Sequence, residues 1–139
     1  RPLVTAIAVA LAVLGVDKPY AYNRKEAKDH GECGLLVGAP PKGRVVIVDD
    51  VLTAGTALRE AVHILRSAGA QPVAALIALD RQEKGASGRS AVQEMEQDSG
   101  IRVIPLVTVK EVLQYLGQDT GRADTVAAIR QYQPQYCVA

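Results

Sequence analysis

Arg44 to Arg59 reads RVVIVDDVLTAGTALR, and the order of residue types in it decides the fold. Val45, Val46, Ile47 and Val48 form a short apolar run of β-branched residues, the pattern of a buried strand in a parallel sheet. Two carboxylates, Asp49 and Asp50, close the run. Small residues follow at Thr53, Ala54, Gly55 and Thr56, and Leu58, Val62 and Leu65 then recur at helical spacing. Strand, acidic pair, glycine–threonine turn and helix start together describe an anion site at the carboxyl end of a strand. The turn's backbone N–H groups and the positive end of the helix dipole point at one place. Gly55 lets the backbone approach a ligand closely, and Thr53 and Thr56 add hydroxyl donors.

The acidic pair separates this turn from a nucleotide-triphosphate loop, because no Gly-Lys-Ser/Thr ending brings a lysine to the outer phosphates. Carboxylates beside a phosphate cradle repel further phosphate, yet they accept hydrogen bonds from sugar hydroxyls. The inferred ligand is a ribose phosphate, with its phosphate on the turn and its hydroxyls on Asp49 and Asp50. A bare Asp-Asp pair would read as a strand end with two solvated acids; DDVLTAGT after VVIV does not.

Outward from this stretch, the 139 residues make one domain, residues 1–139. Apolar residues make up 48% of the chain, with no Phe or Trp, so a core of Ala, Val, Leu and Ile is expected. That composition favours helices packed on a Val-rich sheet. A net charge of +1 gives no sign of a general nucleic-acid surface. Cys33 and Cys137 stand far apart with no CxxC, so a disulfide framework and a zinc site are not expected, and a reducing cytosol fits.

Pro2 to Leu14 predicts a buried helix, with Pro2 in its first turn and Gly15 as C-cap. The same stretch after Arg1 has the charge and apolar core of a signal peptide. The helix is the preferred reading, because a strand signal follows directly with no clear cleavage site. The stretch is too short to span a membrane, which takes about 20 apolar residues. Pro19 to Asn23 predicts a short strand, and an irregular charged segment runs on to a short returning strand at Leu35 to Val37. In that segment Lys25–Asp29 and Lys28–Glu32 have the spacing of a solvated helical turn. Its basic groups equally suit a loop that folds over a pyrophosphate, with Gly31 and Gly34 allowing it to open and close.

Beyond the central turn a helix is expected over Ala57 to Ser67, and Pro72 to Leu79 predicts a second buried parallel strand. Asp80 and Arg81 close it on the same edge as the acidic pair, and strand ends on one edge line one crevice. Arg81 there suits a substrate carboxylate, although alone it reads as a surface arginine. Gly85 to Arg89 reads as a flexible polar loop, Ala91 to Asp98 as a helix and Val103 to Val107 as a strand. Thr108 with Glu111 makes a capping box. A last helix runs from Asp124 or Thr125 to about Tyr132. Tyr132 and Tyr136 are expected to pack, with no chemical role.

DDVLTAGT closely resembles the 5-phosphoribosyl 1-diphosphate (PRPP) motif of the type I phosphoribosyltransferases. NRKEAKDHGE, Asn23 to Glu32, resembles the mobile catalytic loop of the orotate phosphoribosyltransferase family, and DRQEKG, Asp80 to Gly85, is similar to that family's segment after the next strand. The resemblance implies a type I phosphoribosyltransferase-like α/β fold, a mainly parallel sheet flanked by helices. It implies transfer of the ribose-phosphate group of PRPP to orotate, giving orotidine monophosphate and diphosphate in pyrimidine synthesis. It assigns the ribose hydroxyls to Asp49 and Asp50, and the phosphate cradle to Val51, Leu52, Thr53, Ala54, Gly55, Thr56 and Ala57. It places Arg24, Lys25, Lys28 and His30 over the diphosphate, with Lys28, His30 and Asp50 as the catalytic set, and Thr53 and Arg81 on orotate.

The resemblance further implies Mg²⁺ held mainly through PRPP, with no metal-ligating set of the protein's own. It also implies a cytoplasmic homodimer whose loop 24–32 reaches the neighbouring site, and no nucleic-acid or membrane partner. The family carries a small hood, a first core strand and a lysine-bearing loop ahead of the point where Arg1 stands, so the sequence reads as a fragment or as a record that begins late. Cys33 stands where the family has glycine. Two other readings share the fold: a PRPP-binding regulator, which would keep the cradle without needing RKEAKDHGE, and a catalytically inactive fragment.

Overall fold

The Val-Val-Ile-Val run lies in β3 (Arg44–Val51), but among the described residues this is an edge strand and not the buried one expected: Val46 is 54% exposed and no β3 residue is fully buried. The computed structural model describes residues 2–23, 36–53, 55–85, 87–118 and 120–138. Ahead of β3 lie α1 (Pro2–Val13), β1 (Ala21–Asn23) and β2 (Leu36–Gly38). After it come α2 (Thr56–Ser67), β4 (Gln71–Asp80), α3 (Ala91–Ser99), β5 (Arg102–Thr108), α4 (Val109–Leu116), a 3₁₀ turn (Thr120–Arg122) and α5 (Ala123–Tyr136).

Strands β3, β4 and β5 form a parallel sheet in that order, as the alternation of apolar runs and helical patterns requires. The register sets Val51 beside Leu79 and Leu79 beside Val107, so all three strands end in one row. Proline cannot donate to a ladder, and Pro105 lies in β5, at the edge of this sheet. Helix α2 presents Leu58, Val62 and Leu65 to the sheet, at the spacing read from the sequence. With Met95 of α3 and Ala75, Ile77 and Val103 of the strands, Leu58 and Val62 make the core. Burying a side chain such as Ile77, which is 0% exposed, contributes roughly 1.5–3 kcal/mol.

Four further expectations are corrected. Met95, 0% exposed, joins the aliphatic residues in the core, because a flexible thioether fills the irregular space between α3 and the sheet. Helix α1 is not buried: one face is half-buried, with α1 packed on β3, and Val9, Val13 and Leu14 are exposed. Its sequence is apolar all round, so periodicity cannot show which faces meet a neighbour. In the expected loop Gly85 to Arg89, the described residues Gly85, Ser87 and Arg89 are tied rather than loose. Gly85 N–H donates to Arg89 O, and the Ser87 N–H and hydroxyl both donate to Glu94 Oε1 of α3. Helix α5 runs through Pro134 to Tyr136, past the expected end at Tyr132.

Strands β1 and β2 pair antiparallel, Asn23 with Leu36 and Ala21 with Gly38. Gly38 has φ 112°, and a Cβ there would meet the Tyr20 carbonyl oxygen at 2.5 Å, so only glycine fits. Among the described residues, no helix is long and apolar enough to cross a membrane.

Candidate active site

The row in which the strands end is the floor of the site. Successive strand side chains point to opposite faces, so Asp49 and Asp50 leave β3 into different surroundings: Asp49 is half-buried and Asp50 exposed. Asp50 N–H donates to Asp49 Oδ1 at 3.0 Å, and Val51 N–H to Asp50 Oδ1 at 2.8 Å. Burial pushes the Asp49 carboxyl above its usual range, and the neighbouring Asp50 charge pushes the same way. The Asp50 N–H offsets part of this.

The chain then turns. Leu52, 4% exposed, drops its side chain into the core, so only its backbone can serve the cradle expected at Val51 to Ala57. Thr53, Thr56 and Ala57 are exposed, Val51 is half-buried and Gly55 is buried. Gly55 caps α2 with φ 73° and ψ 3°, a left-handed conformation that disfavours any side chain, and a Cβ there would lie 3.0 Å from Arg59 Nη1. That guanidinium is drawn to Asp98 of α3, with Nη2 2.8 Å from Oδ2, and so braces the first turn of α2 from the α3 side.

Among the described residues no side chain caps α2, and its first turn holds no acidic residue. Helices α3 and α4, by contrast, carry full capping boxes, Ser90 with Gln93 and Thr108 with Glu111. The start of α2 thus offers backbone N–H groups and a positive dipole end a short turn beyond two carboxylates, an arrangement suited to a phosphate.

Because Val51 pairs with Leu79, Asp80 and Arg81 emerge beside Leu52 and Thr53. The turn there is tight. Buried Asp80 accepts from Gln82 N–H at 2.7 Å, and Gln82 adopts φ 54°, a conformation rare for a side-chain-bearing residue. The Arg81 side chain is 41% exposed, and its Nη2 meets Glu83 Oε1 at 2.5 Å and the Tyr132 hydroxyl at 3.1 Å. Tyr132 donates in turn to Glu83 and stacks on Tyr136 with ring centroids 4.5 Å apart. The Glu83 carboxylate, with burial behind it, holds the phenol above its usual range, and Arg81 opposes that shift. Sequence reading missed this role of Tyr132, since nothing local signals a contact 51 residues away.

The structure thus brings Asp49, Asp50, Thr53, Gly55, Thr56 and Arg81 to one sheet edge. Arg24, Lys25, Lys28, His30 and Ala54 lie outside the described residues. Among the described residues, no group of three or more His, Cys, Asp or Glu side chains could hold a metal ion.

The chain matches the family model "Phosphoribosyl transferase domain" over residues 2–106. It is 55% identical over 138 residues to an orotate phosphoribosyltransferase of Cellvibrio japonicus, covering 99% of this chain and 64% of that protein. It is 54% identical over 132 residues to one from Marinobacter nauticus, covering 93% of this chain and 62% of that one. The solved orotate phosphoribosyltransferase of Francisella tularensis superposes with a TM-score of 0.78 at 33% identity, over 99% of this chain and 63% of that one. The chain therefore spans less than two thirds of the length of these relatives.

Proposed function

The chain belongs to the phosphoribosyl transferase domain family and has the type I phosphoribosyltransferase fold, and on that premise we propose that it forms the PRPP- and orotate-binding core of an orotate phosphoribosyltransferase. In this reading the start of α2 receives the phosphate of PRPP through N–H groups of Val51 to Ala57. Asp49 and Asp50 accept from the ribose hydroxyls. Arg81, with Thr53, meets the carboxylated base on the adjacent strand end. The observation that carries the proposal is the register of β3 and β4, which sets the uncapped helix start and Arg81 side by side.

The chemistry follows from charge. As the C1–diphosphate bond loosens, negative charge grows on the leaving diphosphate while the base nitrogen attacks the opposite face of C1. Cations placed where that charge develops lower the barrier. Lys28, with Arg24, Lys25 and His30, is assigned that task, on a segment whose ends are paired at Asn23 and Leu36. Mg²⁺ is assigned to the phosphate oxygens of PRPP itself, in keeping with its habit of binding through substrate phosphates and water, and there it would supply further charge neutralisation. The working enzyme is proposed to be a cytoplasmic homodimer in which residues 24–32 serve the neighbouring site.

The test is a pair of titrations on the protein at its full natural length. Arg81→Ala is expected to weaken orotate binding by about 1.5–3 kcal/mol, the scale of a hydrogen bond to a charged group. PRPP binding stays as it was. Equal losses for both ligands remove Arg81 from the base site, and a protein that binds PRPP but forms no orotidine monophosphate is a regulator rather than an enzyme.

A further inference from the structure

The end of the chain is stitched to the segment that carries Arg81. Lys84 N–H donates to Tyr136 O at 2.6 Å, Val138 N–H to Gln82 O at 2.8 Å, and Cys137 Sγ to Arg81 O at 3.2 Å. Above these backbone contacts, Glu83 and the Tyr132 hydroxyl hold the same guanidinium nitrogen. An arginine side chain is long and loses rotamer freedom when it is fixed. One that is held beforehand meets a carboxylate at lower entropic cost, which is preorganisation. The hydroxyl of Tyr132 can do this because it accepts from Arg81 while donating to Glu83, closing a three-membered network.

We propose that Tyr132, on the C-terminal helix α5, is a positioning residue for base recognition: together with Glu83 it fixes the Arg81 guanidinium at the strand-end edge. The proposal rests on the reading that Arg81 meets orotate. Tyr132 itself touches no substrate. The ring of Tyr132 also stacks on Tyr136, so Tyr132→Phe removes the hydroxyl and leaves the stack.

The experiment is a double-mutant cycle on the full natural protein, comparing Tyr132→Phe, Arg81→Ala and the double variant by steady-state kinetics in orotate and in PRPP. Tyr132→Phe alone is expected to raise KM for orotate about three- to tenfold, the worth of one hydrogen bond. Its kcat and its KM for PRPP should change less than about twofold. On the Arg81→Ala background, Tyr132→Phe adds nothing further, because residues in one network are not additive. Equal effects in both backgrounds, or equal rises in both KM values, overturn the proposal and leave Tyr132 a packing residue. An unchanged KM for orotate in Tyr132→Phe overturns it as well. If the unsubstituted protein fails to use orotate, the reading beneath the proposal falls instead. If it uses orotate and Arg81→Ala has no effect, Arg81 leaves the site and Tyr132 with it.

Discussion

At the scale of single residues, the binding role proposed for Asp49 conflicts with stability. Its carboxyl titrates above its usual range in the fold, chiefly through burial. The folded state therefore holds the proton more tightly than the unfolded chain, and ionised Asp49 opposes folding. The penalty is absent below the ordinary aspartate range, near about pH 4, and develops as pH rises through that range and the raised folded one. Asp49→Asn keeps an oxygen for the Asp50 N–H. We expect its Tm at pH 7 to exceed the parent's by about 1–4 °C, the gap closing toward pH 4, while PRPP binding weakens more than binding of inorganic phosphate. Scanning calorimetry across pH checks the first part and titration calorimetry the second; a Tm gap independent of pH would detach it from ionisation. The carboxylate pair and Arg81 were legible in the sequence because each closes an apolar strand run. The unequal burial of Asp49 and Asp50 was not, since it depends on what packs against each face of β3.

At the scale of elements, local chemistry was the most readable part. Thr108 and Glu111 make the capping box their spacing announces, and the apolar runs became β4 and β5 to within a residue, while β3 continues three residues past Val48, through both carboxylates, to Val51. Ser90 with Gln93 carries the same signal for α3 and went unread. Ser90 is buried and its oxygen accepts from Gln93 N–H at 3.1 Å. Ser90→Ala should therefore cost about 0.5–2 kcal/mol. In urea this lowers the midpoint with an unchanged slope; a midpoint equal to the parent's would show that the cap contributes nothing to the fold. What stayed hidden was non-local. The expected end of α5 at about Tyr132 is passed: the helix continues through Pro134 to Tyr136, whose carbonyl accepts from Lys84, with Cys137 bridged to Glu83 beyond it. Contacts of that kind leave no periodic trace.

At the scale of the whole molecule, the proposed dimer makes a distinct demand. If residues 24–32 of one subunit serve the other's site, Lys28→Ala and Asp50→Asn proteins, each nearly inactive, should recover activity when mixed. One site of the mixed dimer then combines an intact cradle with an intact loop. Activity well above either parent is expected once subunit exchange is confirmed by native mass spectrometry; mixed dimers without activity would place the loop on its own chain's site. The even spacing of the sheet has another consequence. Val48 pairs with Leu76 and Leu76 with Ile104, positions equally far apart along the chain. Closing either loop costs nearly the same chain entropy, because that cost depends on loop length and only logarithmically. Topology therefore gives neither strand pair a head start in folding, and neither can form early by local contact. The order in which the sheet assembles is left to how firmly each intervening helix holds before the strands meet. On that count α3, whose capping box closes within one turn, starts ahead of α2, for which the described residues provide no side-chain cap. The open helix start that the proposed function uses for phosphate makes α2 the later partner in building the fold.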